Sequence, residues 1–269
     1  MAAVESLITL KRAARTVPDV AAEAFQDDLR STYRKAAADY RRDDEIEVRT
    51  DHHCWIWKTL ADLTSSFERE ISALDAGCGT GRHFHCLKNV KRLVGLDLSP
   101  EMLRAARVPI REELISVQEI ELVCGDVHHV TFPPHCFDLI YSLGMFALGC
   151  RFTVEICNRF HDWLAPGGKL FFNVTDRAGL SWFVRGKRSV RGVVYQFLPA
   201  ERQRAWDARA NHVTVCELTL PELRKLMRGT LFRRFQVTSH PCESPLWKGS
   251  HLECLAYKEG RGSDNGAIN

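Results

Sequence analysis

The feature that most constrains this chain is an apolar run closed by alternating glycines, ISALDAGCGTG, residues 71–81. Such a run, ending in a glycine turn, reads as a strand buried on both faces. Gly77, Gly79 and Gly81 let the backbone bend sharply and let a ligand approach, because no Cβ stands in the way. Similar runs recur along the chain: RLVGLDLS (92–99), EIELVCGDV (119–127), FDLIYSLG (137–144) and KLFFNVT (169–175). Between them lie stretches that read as helices. RHFHCLKNV (82–90) follows the turn. Ser99 and Pro100 suit a cap and first helical position. TVEICNRFHDWLAPGG (153–168) is stopped by Pro166 and two glycines. Strands alternating with helices, without hairpin turns, give an α/β fold: a doubly wound, largely parallel sheet covered on both faces.

In open parallel sheets, ligands bind beyond the carboxyl ends of the strands, near the point where strand order reverses. A dinucleotide-binding turn has the spacing G-x-G-x-x-G. This chain has Arg82 where that pattern requires its last glycine, and it carries Asp75 just before the turn. A carboxylate there repels a pyrophosphate and favours a cation. The better ligand is a positively charged nucleoside without phosphates, and a nicotinamide dinucleotide becomes a distant alternative. The second strand ends in Asp97, placed to accept hydrogen bonds from ribose hydroxyls. The third ends in Gly125-Asp126-Val127, where the acid can accept from an exocyclic amine and the Val127 N–H can reach a ring nitrogen. Asp75, Asp97 and Asp126 fall at the ends of successive strands, so they line one edge of the sheet.

Asp75-x-Gly-x-Gly-x-Gly, then Asp97, Gly125-Asp126, Phe137-Asp138-Leu139-Ile140 and Leu164-x-Pro166-Gly167-Gly168, taken in order, resemble the class I S-adenosylmethionine-dependent methyltransferases. The likeness is to the small-molecule type with a ubiquinone-biosynthesis-like core, and it covers residues 70 to 176. It implies a Rossmann-like sheet of seven mostly parallel strands with an antiparallel last strand, and S-adenosylmethionine as methyl donor. Residue by residue, it places Asp75 and the Gly77–Gly81 backbone around the methionine moiety. Asp97 goes to the ribose, Leu98 and Met102 flank the adenine, Asp126 and Val127 read its edge, and Ser142 lies near the transferring methyl. Tyr33-x-x-x-Ala37-x-x-Tyr40 is similar to the family's lid helix, which brings Tyr33 to the methionine end. Met102 reads equally well as a core residue of its helix. His128 and His129, following Asp126, are weak candidates for a general base. A base is not guaranteed to be obligatory, because positioning alone can supply about 7–11 kcal/mol.

The domain organisation expected is a helical N-terminal extension or lid (1–68), the donor-binding core (69–176), an acceptor-side insertion (177–218), the C-terminal part of the core (219–259) and a disordered tail (260–269). The insertion interleaves Arg185, Lys187, Arg188 and further arginines with Trp182, Phe183, Tyr195, Phe197 and Trp206. Aromatic walls with a basic lining suit an acidic or planar acceptor. A solvated helical cap packed on the core accounts for the same residues, and so does single-stranded RNA binding. Against RNA stand a net charge of only +3 and the absence after the fourth strand of the Asn/Asp-Pro-Pro-Tyr/Phe signature used for base amines; Tyr141-Ser142-Leu143-Gly144 stands there instead.

A small-molecule acceptor is therefore the first reading. A nucleic-acid methyltransferase and a donor-binding protein without turnover are the alternatives. The ten cysteines form no CxxC pair, and neither HHC (52–54) nor HFHC (83–86) has a second half to complete a zinc site, so no metal is expected. No apolar run approaches the roughly 18 residues that span a bilayer, and scattered reduced cysteines suit a cytoplasmic setting. Lys11, Arg12 and Arg15 on a short amphipathic stretch leave a transit peptide as an alternative.

Overall fold

The computed structural model describes residues 8–12, 39–46, 54–146, 150–179, 199, 217–243 and 248–260. Its strands are β1 (Ile8–Arg12), β2 (Ile71–Ala76), β3 (Val90–Asp97), β4 (Glu119–Cys124), β5 (Phe137–Ser142), β6 (Leu164–Asp176), β7 (Glu217–Leu218), β8 (Arg234–Glu243) and β9 (Lys248–Tyr257). The described helices are α1 (39–46), α2 (Cys54–Ser65), α3 (Pro100–Ala105), α4 (Val154–Trp163) and α5 (Leu220–Arg228). They build one sheet in the order β1-β4-β3-β2-β5-β6-β9-β8, with β7 paired to β6. β9 runs antiparallel to both of its neighbours. The seven strands expected from the sequence are present with the expected sense. Strand order reverses between β2 and β5, which places the glycine turn after β2 at the switch point. No described helix is long and apolar enough to cross a membrane.

Three local expectations are corrected. Ile8–Arg12 is not part of a helical extension but pairs in parallel with β4, Ile8 opposite Ile120 through Arg12 opposite Cys124. Isoleucine and threonine favour extended backbone, and the outer edge of β4 is otherwise open. Residues 82–90 do not form a regular helix; only a single 3-10 turn, Phe84–Cys86, occurs. His83, Phe84, His85, Cys86 and Leu87 are all buried, so this segment lacks the solvated face that a surface helix presents. His85 packs edge-on against Trp57, ring centroids 5.1 Å apart, and burial lowers its imidazole to about 4. Finally, α4 ends at Trp163, and Leu164 already pairs with Phe137 of β5. Pro166, Gly167 and Gly168 then form an irregularity at the start of β6. A Cβ on Gly168 would lie 2.8 Å from the Ala165 carbonyl oxygen and 3.0 Å from that of Asp138.

Caps fix where the helices begin. Ser99 Oγ accepts from Met102 N–H (3.3 Å) ahead of α3, and Thr153 Oγ1 accepts from Ile156 N–H (3.3 Å) ahead of α4. Glu222 reaches back to the Thr219 N–H at 2.8 Å ahead of α5. The core has one part on each sheet face. Beneath α4 and α5, Phe160 of α4 packs in one cluster with Phe146, Phe152 and Phe172, Phe152 stacked on Phe172 at 4.8 Å. Beneath α2, Leu60 and Ile56 pack with Phe84, Tyr141 and Phe171.

One polar joint ties β2 to β5. Asp138 accepts the Ser72 N–H at 2.9 Å and receives Arg69 through Nη2 at 2.5 Å and Nη1 at 3.2 Å. The acid is nearly buried and Arg69 is mostly exposed, so the backbone bond should outweigh the ion pair. In urea unfolding, Asp138→Ala is expected to cost about 2 kcal/mol or more, and Arg69→Ala about 1 kcal/mol or less. Equal losses would show that the ion pair carries the joint.

Candidate active site

The turn after β2 is left-handed at alternate residues, with φ +82° at Gly77, +53° at Gly79 and +75° at Gly81. It is pinned to the neighbouring strand, since the Gly77 and Cys78 N–H groups donate to the Leu96 carbonyl at 2.8 and 3.0 Å. The three glycines are needed for different reasons. A Cβ on Gly77 would lie 2.6 Å from Met145 Cβ, and one on Gly81 would lie 2.7 Å from the Phe84 ring. A Cβ on Gly79 would meet nothing within 4 Å. Packing excludes a side chain at the first and third positions; at the middle one only the backbone conformation disfavours it. The Gly79 N–H donates to Asp97 Oδ2 at 2.9 Å.

Asp97 closes β3, and its other oxygen accepts the Ser99 N–H at 2.9 Å. Burial raises its carboxyl, opposed by these backbone donors. Asp75 pairs across the sheet with Gly95 and Tyr141. It is 1% exposed, and its Oδ2 has no hydrogen-bond partner among the described residues. Burial raises its carboxyl to about 8, with the adjacent Tyr141 hydroxyl opposing and the Asp97 charge reinforcing. Asp126, two residues past β4, accepts the His128 N–H through Oδ1 at 2.9 Å and faces His129 Nδ1 with Oδ2 at 3.0 Å. Since β4, β3 and β2 are consecutive in the sheet, the three acids share one rim. His128 is exposed, with Nε2 3.7 Å from Cys150 Sγ.

Ser142, the last residue of β5, is buried, and its Oγ has no partner among the described residues. The loop after it is tied to β6, because the Gly144 N–H donates to Asn173 Oδ1 at 2.8 Å. Leu98 is half-buried beside Asp97. Met102 is buried yet belongs to neither apolar cluster, while Val127 packs in the cluster with Val123 and Val130. Tyr33, Arg185, Lys187 and Arg188 lie outside the described residues.

The sequence reading missed a clasp between α1 and the turn. Asp44, 1% exposed, accepts from the Thr80 hydroxyl and pairs with Arg82 at 3.1 Å. Burial raises the Asp44 carboxyl, and Arg82 opposes that rise. Tyr40, one helical turn earlier, has its hydroxyl pKa raised chiefly by burial, within electrostatic reach of Arg82, Asp44 and Asp97. The available signal was the pair Tyr40 and Asp44 at i, i+4 spacing, which puts both on one helix face. Arg82, whose charge faces the turn, is thereby neutralised.

Residues 73–168 match the family model described as a methyltransferase domain. A malonyl-[acyl-carrier protein] O-methyltransferase of Yersinia pestis is 27% identical over 212 residues, covering 75% of this chain and 72% of that protein. Phosphoethanolamine N-methyltransferase 3 of Arabidopsis thaliana is 34% identical over 106 residues, covering 38% of this chain and 20% of that protein. Among solved structures, magnesium protoporphyrin IX methyltransferase of Synechocystis PCC 6803 superposes with a TM-score of 0.57 at 14% identity, covering 87% of this chain and 100% of that one.

Asp75 makes stability depend on pH. Its folded carboxyl binds a proton up to about 8, against an ordinary value of 3.8. The stability it contributes is therefore complete below the unfolded value and is lost as pH rises through the folded one. In thermal melts of the ligand-free protein, Asp75→Asn should gain on the wild type from about pH 5 to about pH 9. A constant difference across that range would contradict the assignment.

Proposed function

With residues 73–168 forming a methyltransferase domain of the class I S-adenosylmethionine-dependent enzymes, we propose that the chain moves the donor's methyl to an oxygen, nitrogen, sulfur or carbon atom of a small, acidic or aromatic acceptor. The observation that carries the reading is the row of acids Asp75, Asp97 and Asp126 on one rim around a turn whose neighbouring cation, Arg82, is already paired. The residues fit such a donor. Gly79 leaves room for a group against the backbone. Asp75 offers a buried carboxyl oxygen without a partner among the described residues, and a positively charged ligand offsets the burial that raises its carboxyl. The phosphoethanolamine N-methyltransferase supports transfer to a small acceptor, and the malonyl-[acyl-carrier protein] O-methyltransferase supports transfer to oxygen.

Bound S-adenosylmethionine supplies a methyl on a sulfonium, open to in-line attack by an acceptor lone pair. The chain's own residues bind and orient. Asp97 accepts the ribose hydroxyls with lone pairs left over from its two backbone donors. Asp126 and the Val127 N–H read the adenine edge, Leu98 and Met102 flank it, and Tyr33 comes near the methionine end. Ser142, buried at the tip of β5, lies beside the reacting atoms. A water-poor, prepositioned site accounts for most of the acceleration, since charge disperses as the methyl moves. His129, held by Asp126, and His128, beside Cys150, stand as the candidates for taking an acceptor's proton.

Asp97→Ala should weaken S-adenosylmethionine binding about tenfold or more in calorimetry, from lost hydrogen bonds worth roughly 1.5–3 kcal/mol; unchanged affinity would show the acid to be structural. Replacing Arg185, Lys187 and Arg188 together with alanine should leave donor affinity intact and raise the KM of the acceptor. Collapse of donor binding would make the insertion part of the fold instead.

A further inference from the structure

Beyond β5, the strands β6, β9 and β8 gather polar side chains that the donor reading leaves unused. Glu253 of β9 is 5% exposed and stands directly opposite Asn173 of β6 and Thr238 of β8. His240, diagonally across on β8, brings Nε2 to 3.4 Å from Glu253 Oε2. Trp55, in the first turn of α2, stacks on the His240 ring at 5.5 Å with planes 11° apart. Glu253 Oε1 has no hydrogen-bond partner among the described residues.

A buried carboxylate is costly unless its oxygens are satisfied. Two other buried acids of this sheet, Asp138 and Asp176, are satisfied. Asp138 holds Arg69 and the Ser72 N–H, and Asp176 accepts from the Ala178 N–H and the Ser239 and Ser250 hydroxyls. Glu253 has one histidine on one oxygen, and burial raises its carboxyl to about 7. An acid at that depth with an oxygen unpaired among the described residues suits a hydrogen-bond donor that arrives from outside.

Its position suits the acceptor. Asn173, opposite Glu253, also anchors the Gly144 N–H in the loop that follows Ser142. With strands about 4.8 Å apart, Glu253 lies two strands, roughly 10 Å, from the tip of β5. That is too far to touch the transferring methyl and within the length of a small molecule. We propose that Glu253, backed by His240 and Trp55, is the recognition site for a protonated amine at the far end of the acceptor. An ammonium donates to Oε1 and brings the opposite charge. A carboxylate or phosphate at the same point meets like charge. The proposal rests on the methyltransferase reading and gives the acceptor a cationic end in addition to any group held by the basic insertion.

The test is calorimetric titration of the whole protein, with and without saturating S-adenosylhomocysteine, using tyramine and 4-hydroxyphenylacetate as size-matched probes. Tyramine should bind the wild type at least about tenfold more tightly than the acid. Glu253→Gln should lower tyramine affinity about tenfold while leaving that for S-adenosylhomocysteine within about twofold. Should Glu253→Gln fail to fold, His240→Ala, at a half-exposed position, is expected to lower tyramine affinity severalfold. Equal binding of the two probes, no binding of tyramine, or an unaltered tyramine affinity in the variants would overturn the proposal. Tyramine binding through Glu253 in a protein indifferent to S-adenosylhomocysteine would keep this proposal and sink the methyltransferase reading. Methyl transfer to an acid acceptor with the same KM in Glu253→Gln would do the reverse.

Discussion

The hydrogen bond from the Gly79 N–H to Asp97 joins the two parts on which the site depends. It forms only because the turn after β2 takes positive φ at alternate residues while the Gly77 and Cys78 amides stay bonded to β3. Met145 then fills the space a side chain on Gly77 would take, which draws the loop after β5 against the turn. The same loop is fixed from its other side by Asn173. The ends of β2, β3, β5 and β6 are thereby set relative to one another before any ligand arrives, which is the preorganisation a transfer reaction needs.

Charge then decides what such a rim can hold. Asp75 is buried deeply enough to keep its proton at neutral pH, and Asp97 is pushed in the same direction. A positive ligand reverses that cost, whereas a pyrophosphate adds to it. The cation beside the turn, Arg82, is spent on Asp44 and offers no counterweight to phosphate. The clasp also fastens α1 to the turn through Asp44, with Tyr40 within electrostatic reach.

Much of this was legible in the sequence because strands buried on both faces leave long apolar runs, and because a turn at positive φ leaves glycines. The order of Asp75, Asp97 and Asp126 followed from their places within two residues of the ends of successive strands. The segment 82–90 was misread since its helical spacing of apolar residues gave no warning that the histidines between them would also be buried; Phe84 is drawn inward by the absence of side chains at Gly81 and Gly95. β1 was missed because five residues carry too little pattern to show that they complete an edge. Nothing in the sequence around Asp44 or Glu253 marks either acid as buried. Only the pairing of distant elements, α1 with the turn and β9 with β6 and β8, removes them from water.

The most direct measurement of the central claim is a calorimetric comparison of S-adenosylmethionine and NAD on the intact protein. The account predicts saturable binding of S-adenosylmethionine at one site and no detectable competition from NAD. Binding of NAD with S-adenosylmethionine ignored would contradict it, and would mean that the acids on the rim do not select a cation.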